Sequence, residues 1–362
     1  MNPKTPPLPL GAKSPEPLWS DPEREFLDRQ PGRRKRRRAA EGLLLTFGVI
    51  LGFVVIEGVT RAHLRLLPAK QGYSPVRGRR SREPRNSAGY RDIEHPSQKP
   101  PGTRRALFVG DSFTYGAGIE FDDTYAKRTE RGLSTARSER WESIVLAVPG
   151  IDTEQEEAIL ENEGFAYSPD LVVLGYVLTD AEDPGAAEQR RARDWSEAEA
   201  EKKSLPFWRR SALLSLVADR LYATRENRAR IENHLALYRD GAPGFAAVRK
   251  SIDVMAAQCR QRNIPFVVVL FPLFANPLDD RYPFAAVHQK VATVARSAGA
   301  TVVDLLPYYR GMDWHLLVVE GALDEHPNEL AHRIAAQALL AALEAVRLPA
   351  APNGGEGGSR VH

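Results

Sequence analysis

Apolar and polar residues alternate with two different periods along this chain. From residue 105 onward, short, largely β-branched runs recur: RALFVG (105–110), SIVLAV (143–148), DLVVLGYVL (170–178), IPFVVVLF (264–271) and ATVVDLL (300–306). Near-continuous apolar runs of this length mark strands buried on both faces, as in parallel sheets. Between and after them, TEQEEAILENEGFAY, FAAVRKSIDVMAAQCRQ and AHRIAAQALLAALEAV (331–346) carry apolar residues at helical spacing. The alternation predicts an α/β domain over 105–348, with three layers (α/β/α) around a five-stranded parallel sheet. Residues 181–245 interrupt it with a highly charged stretch and then helical patterns around Leu213–Leu221 and Ile231–Leu237. That is too long for a connecting loop. It reads either as a cap beside a site at the sheet edge or as a decorative helical insertion.

The longest apolar run lies elsewhere. Fourteen uncharged residues extend from Leu43 to Ile56, just short of the roughly 17–25 residues that a spanning helix needs, and the flanking residues extend the segment to 39–60. Eight basic residues, Arg24 to Arg38, precede it, against three (Arg61, Arg65, Lys70) close behind it. The positive-inside rule places the N-terminus in the cytoplasm and the α/β domain across the inner membrane, in the periplasm. No small-residue cleavage pattern follows the run, so a signal anchor fits better than a cleaved leader. Residues 1–38 read as a disordered basic cytoplasmic tail, 61–104 as a linker or extended arm, and 349–362 as a disordered tail.

Charge sharpens this division. The formal net charge is +3, yet residues 1–38 hold ten basic and five acidic side chains, and residues 61–105 twelve and three. The part beyond is therefore acidic and lacks the basic, aromatic-interleaved stripe of a nucleic-acid surface. Cys259 is the only cysteine, which excludes a disulfide framework and a cysteine-based zinc site within one chain. It sits in a predicted helix and reads as a packed thiol.

Two short motifs carry chemistry. The first predicted strand stops at Gly110-Asp111-Ser112, which sets a hydroxyl at the carboxyl end of a strand, where open α/β sheets bind ligands. Far downstream stands Asp324-Glu325-His326-Pro327-Asn328. A serine hydroxyl barely ionises at neutral pH and needs a base, a group that orients the base, and donors for the developing oxyanion. Ser112 reads as the nucleophile, His326 as the base and then acid, and Asp324 as the residue orienting His326. His288, His315 and His332 read as packing or surface histidines. No HExxH, P-loop or metal-ligand cluster occurs, so neither a metal nor a cofactor is expected.

These motifs resemble those of the SGNH/GDSL hydrolase superfamily of serine esterases, including its membrane-anchored bacterial members. The resemblance covers about residues 86–346 and includes NSAGYRD (86–92), IPFVVVLFP and HPNELAHRIAAQAL. It implies a flavodoxin-like fold and an oxyanion hole built from backbone N–H groups of Ser112 and Gly150 and a third donor after strand three. At that third place the family carries Asn, and this chain has Thr179 followed by Asp180. A threonine hydroxyl reaches less far than an asparagine amide. Losing one such donor costs about 2.7–4 kcal/mol, a hundred- to a thousandfold in rate. The resemblance implies a serine esterase acting on an acyl or acetyl ester of an envelope glycan or lipid. Two alternatives remain: an O-acyltransferase of a cell-envelope polysaccharide, and a catalytically weakened binding protein.

Overall fold

A computed structural model describes residues 31–66, 84–183, 185, 211–319 and 325–348. The chain divides into two compact units, Met1–Leu66 with Trp208–Val217, and Leu67–Phe207 with Ala218–His362.

In the first unit a single helix, α1 (Pro31–Leu66), contains the apolar run. Its span Lys35–His63 has a mean hydropathy of 2.3 in its most apolar window, none of it buried. Leu43, Leu45 and Val49 are more than two-thirds exposed. Among the described residues, its most apolar stretch is left uncovered, and contacts with Ser211–Leu213 begin only at Glu57.

The second unit is built on five parallel strands: β1 (Thr103–Gly110), β2 (Arg140–Ala147), β3 (Leu171–Val177), β4 (Phe266–Phe271) and β5 (Thr301–Asp304). Their spatial order is β2-β1-β3-β4-β5, the flavodoxin-like order with its switch point between β1 and β3. Each of the five apolar runs is a strand, and β1, β3 and β4 are buried at every position. The polar starts of β1 and β2 escape an apolar reading because ion pairs cover them. Arg105 pairs with Glu142 at 3.2 Å and Arg104 with Glu139 at 3.1 Å. β5 is shorter than its apolar run. The Asp304 carboxylate accepts the Leu306 N–H, and Pro307 starts a short helix.

The crossover helices lie on both faces. They are α2 (Ser112–Tyr115), α3 (Tyr125–Arg137), α4 (Thr153–Asn162), α5 (Ala212–Leu237), α6 (Pro243–Gln261), α7 (Ala285–Ala298), α8 (Leu306–Tyr309) and α9 (Glu329–Glu344). α3 packs against α9, while α4 and α7 pack against α6. Cys259 is fully buried in α6. The insertion contains α5, one 26-residue helix that covers both predicted helical patterns. Its charged first part, 186–210, lies outside the described residues. Just beyond α5, Tyr238 donates its hydroxyl to the Leu178 carbonyl at 2.8 Å and meets the Tyr176 hydroxyl at 2.5 Å, fastening the insertion to the end of β3.

Two glycines shape the sheet where α2 sits. Gly110 of β1 lies in register with Gly175 of β3. A Cβ on Gly175 would stand 2.1 Å from Thr114 Oγ1 and 2.4 Å from the Tyr125 hydroxyl. The missing side chain thus lets Thr114 of α2 drop onto the sheet and meet Tyr125 at 3.1 Å. Overpacking of this kind costs about 1–3 kcal/mol. Gly175→Ala is expected to lower the unfolding free energy by that amount in urea titration, with α2 displaced.

Candidate active site

Ser112 opens α2 directly after β1. Asp111 caps the helix, its carboxylate accepting the Phe113 N–H at 2.8 Å. Gly116 ends the helix in the left-handed region at φ 75°, a conformation that favours glycine. The carbonyls left open there are taken by a buried guanidinium. Arg91 donates to the carbonyls of Tyr115 (2.9 Å), Gly116 (2.7 Å) and Ile119 (2.5 Å). Its neighbour Asp92 accepts the Val145 N–H of β2 at 2.8 Å. Residues 90–92 therefore brace the turn that carries Ser112. In the sequence, Arg91 is one of many arginines in a basic stretch, and only the surrounding NSAGYRD marks it.

His326 reaches the same place from the other end of the domain. Its Nε2 lies 2.9 Å from Ser112 Oγ, across 214 positions of sequence. The loop bearing it is pinned on both sides. Val319 N–H donates to the His326 carbonyl at 3.0 Å, and Asn328 N–H to the Leu317 carbonyl at 2.8 Å, around a bridge between Val318 and Pro327. The Asn328 side chain caps α9 by accepting from Leu330 and Ala331, and its amide donates to the carbonyls of Leu316 and Val318. Phe113 packs beside the imidazole with ring centroids 5.6 Å apart. Glu325, next to His326, forms an ion pair with Arg230 of α5, so the insertion touches the histidine loop. Asp324 lies outside the described residues.

Gly150 and Thr179 follow β2 and β3, the strands on either side of β1. Gly150 is exposed at φ 82° in the turn before α4. Thr179 is half-buried in a 3₁₀ turn, Leu178–Ala181, and its carbonyl accepts the Glu182 N–H at 2.9 Å. Topology thus brings Ser112, Gly150 and Thr179 to one edge of the sheet. Three further histidines read from the sequence have partners of their own. His332 is buried, accepts the Tyr125 N–H at 3.1 Å, and is pushed down to about 3 by burial. His288 is buried against Asp304 at 2.9 Å, and His315 pairs with Asp313 at 2.7 Å. Among the described residues, no cluster of His, Cys, Asp and Glu is arranged to hold a metal.

Beneath Ser112 lies a group of buried acids that the sequence does not announce. Asp111 is pushed up to about 6, chiefly by burial, against the opposing pull of the Phe113 N–H and His326. Glu156 of α4 is raised by burial and then by the nearby charges of Asp111 and Asp152. Asp180 is raised by burial, Glu156 and Asp111, although its carboxylate accepts the Val177 N–H at 2.7 Å. Both Glu156 oxygens lack a hydrogen-bond partner among the described residues.

A family model, the GDSL-like lipase/acylhydrolase family, matches residues 108–334, well over half of the chain. The chain belongs to this family. With it, the protein is an ester hydrolase of the GDSL type. A search of curated proteins finds none that matches in sequence. Solved structures similar to this chain include an alpha/beta hydrolase enzyme from the metagenome of Lake Arreo (18% identity, TM-score 0.42, covering 67% of this chain and 96% of that one). A lipase/acylhydrolase from Enterococcus faecalis shows 15% identity and a TM-score of 0.41, covering 67% and 95%. A catalytic mutant of an acetylxylan esterase from Geobacillus stearothermophilus shows 15% identity and a TM-score of 0.41, covering 68% and 96%.

The buried acids make a prediction about stability. A carboxyl held above its unfolded value favours the fold fully below that value, and the advantage is lost as pH rises through the folded one. For Glu156 the loss begins near its ordinary value of 4.5 and runs upward, at about 1.4 kcal/mol for each pH unit. Glu156→Gln keeps the shape and cannot ionise. Relative to the parent, its melting temperature is expected to climb steadily as pH is raised above 4.5; a constant offset would show that Glu156 does not titrate above its ordinary range.

Proposed function

We propose that this GDSL hydrolase cleaves acyl or acetyl esters through an acyl-enzyme on Ser112. The observation that carries the reading is the 2.9 Å contact between Ser112 Oγ and His326 Nε2 at the carboxyl end of β1. That distance lies within the reach required of a nucleophile and its base. His326 takes the hydroxyl proton as Oγ attacks the ester carbonyl, then returns it to the departing alcohol. Water, deprotonated by the same imidazole, resolves the acyl-enzyme. Asp324, two positions before His326 in the sequence, is the residue we assign to orient it. The backbone N–H groups of Ser112 and Gly150 are assigned to the oxyanion, and Thr179 fills the third place less effectively than asparagine would.

For the substrate we propose an ester of an envelope glycan or lipid, reached by a domain tethered through α1. Support comes from the bare apolar surface of α1 and from the run Arg33–Arg38 at its start, which orients the N-terminus to the cytoplasm. A retained anchor is further favoured over a cleaved leader by Glu57 of α1. It accepts hydrogen bonds from Ser211 Oγ and the N–H groups of Ala212 and Leu213.

Hydrolysis of p-nitrophenyl acetate by the full chain in detergent tests the reading. Ser112→Ala is expected to reduce turnover to background. Thr179→Asn is expected to raise kcat by about tenfold or more with little change in KM, as restoring an oxyanion donor would. Full turnover in Ser112→Ala would overturn the mechanism.

A further inference from the structure

Glu57 is a carboxylate directly following the uncharged run Leu43–Ile56 of α1, and an acid so placed calls for a partner. At 1.5 Å per residue it stands roughly 30 Å beyond Arg38, which matches the ~30 Å hydrocarbon thickness of a bilayer. If Arg38 marks one boundary, Glu57 marks the other. Its side chain is only 16% exposed and is saturated. It accepts from Ser211 Oγ (2.7 Å), Ala212 N (2.7 Å), Leu213 N (2.9 Å) and Arg61 Nε (2.7 Å). Two of these donors are first-turn N–H groups of α5, which have no partner within their own helix. Ser211 caps α5 by accepting the Leu214 N–H at 3.2 Å, and Glu57 completes that cap from a different helix. The bond set fixes the first turn of α5 at the depth of Glu57.

The face that α5 shows from that point is apolar. Leu214, Val217 and Leu221 are exposed (38%, 47% and 68%) and recur at positions i, i+3 and i+7, one stripe of a helix. No charged residue occurs between Ser211 and Asp219. Farther along the same stripe the residues become Arg225 and Arg228, both exposed, with Arg220 also exposed nearby. Apolar residues at the clasped end, followed by arginines, form the pattern of a helix entering a lipid surface, with cations at the level of the headgroups.

We propose that the first turns of α5, through Leu214, Val217 and Leu221, lie in the headgroup boundary of the bilayer that α1 spans, held there by Glu57. The occupant of this face is lipid, and the inference rests on the reading of α1 as an anchor.

The test uses the full chain in lipid nanodiscs, with an environment-sensitive fluorophore attached through Val49→Cys, Val217→Cys or Leu221→Cys in separate preparations. The native Cys259 is fully buried, and the unsubstituted protein measures its background. Quenchers are aqueous iodide and lipids carrying a nitroxide near the ester carbonyls. The expected result is lipid quenching at 217 and 221 with loss of most of the iodide response. Glu57→Ala is expected to restore the iodide response at 217 and leave 49 unchanged. Iodide quenching at 217 and 221, with 49 still shielded from iodide, would overturn the proposal and leave the anchor intact. Shielding of 217 and 221 from both quenchers would also overturn it, in favour of a second copy or another protein on this face. Iodide quenching at 49 would remove the anchor reading itself, and an unchanged response at 217 in Glu57→Ala would remove the role given to Glu57.

Discussion

The Ser112–His326 hydrogen bond joins two segments that share nothing in sequence, and its geometry depends on how firmly each is held. A hydroxyl and an imidazole on free loops would lose the alignment to side-chain and backbone entropy. Neither loop is free. The serine turn is seated by the Gly110–Gly175 pair under Thr114, capped by Asp111 and closed by the buried Arg91. The histidine loop is clamped to residues 317–319 and ends in the Asn328 cap of α9. These supports come from the chain before β1, from β1 and β3, and from the last helix. The whole α/β domain must therefore be folded before the contact can exist.

Electrostatics beneath the contact runs against intuition. Asp111, Glu156 and Asp180 are buried near one another, and burial raises all three. Full ionisation of such a group would be prohibitive in a low-dielectric interior. Raised in this way, the three carboxyls carry less negative charge around Asp111 than three exposed carboxylates would. Asp111 also accepts the Ser112 hydroxyl at 3.2 Å, so it competes with His326 for the same proton. Protonation of that carboxyl oxygen would turn it from acceptor to donor.

The sheet was legible because strands buried on both faces must be apolar throughout, and five such runs stand out between helical stretches. The turn at Ser112 and the cap after His326 each leave only a weak local signal, and it was their combination with Asp324, in the order Ser, Asp, His, that singled them out. What escaped notice was polar chemistry directed inward. Arg91 sits among many surface-type arginines, and nothing local shows that its guanidinium satisfies three carbonyls. Glu156 is one of four glutamates in α4, beside Glu154, Glu157 and Glu161. It turns inward with Thr153 and Leu160, and only the sheet position behind the helix decides that. The contacts of Glu57 with α5 and of Arg230 with Glu325 join segments far apart in the chain. No periodicity encodes them.

Activation of Ser112 by His326 is open to a direct test: fluorophosphonate labelling of the full chain, followed by peptide mass mapping. A single adduct is expected on the peptide containing Ser112, forming at least about a hundredfold more slowly in His326→Ala, the scale on which a positioned base contributes. An adduct on another residue, or equal labelling of Ser112 without His326, would contradict it.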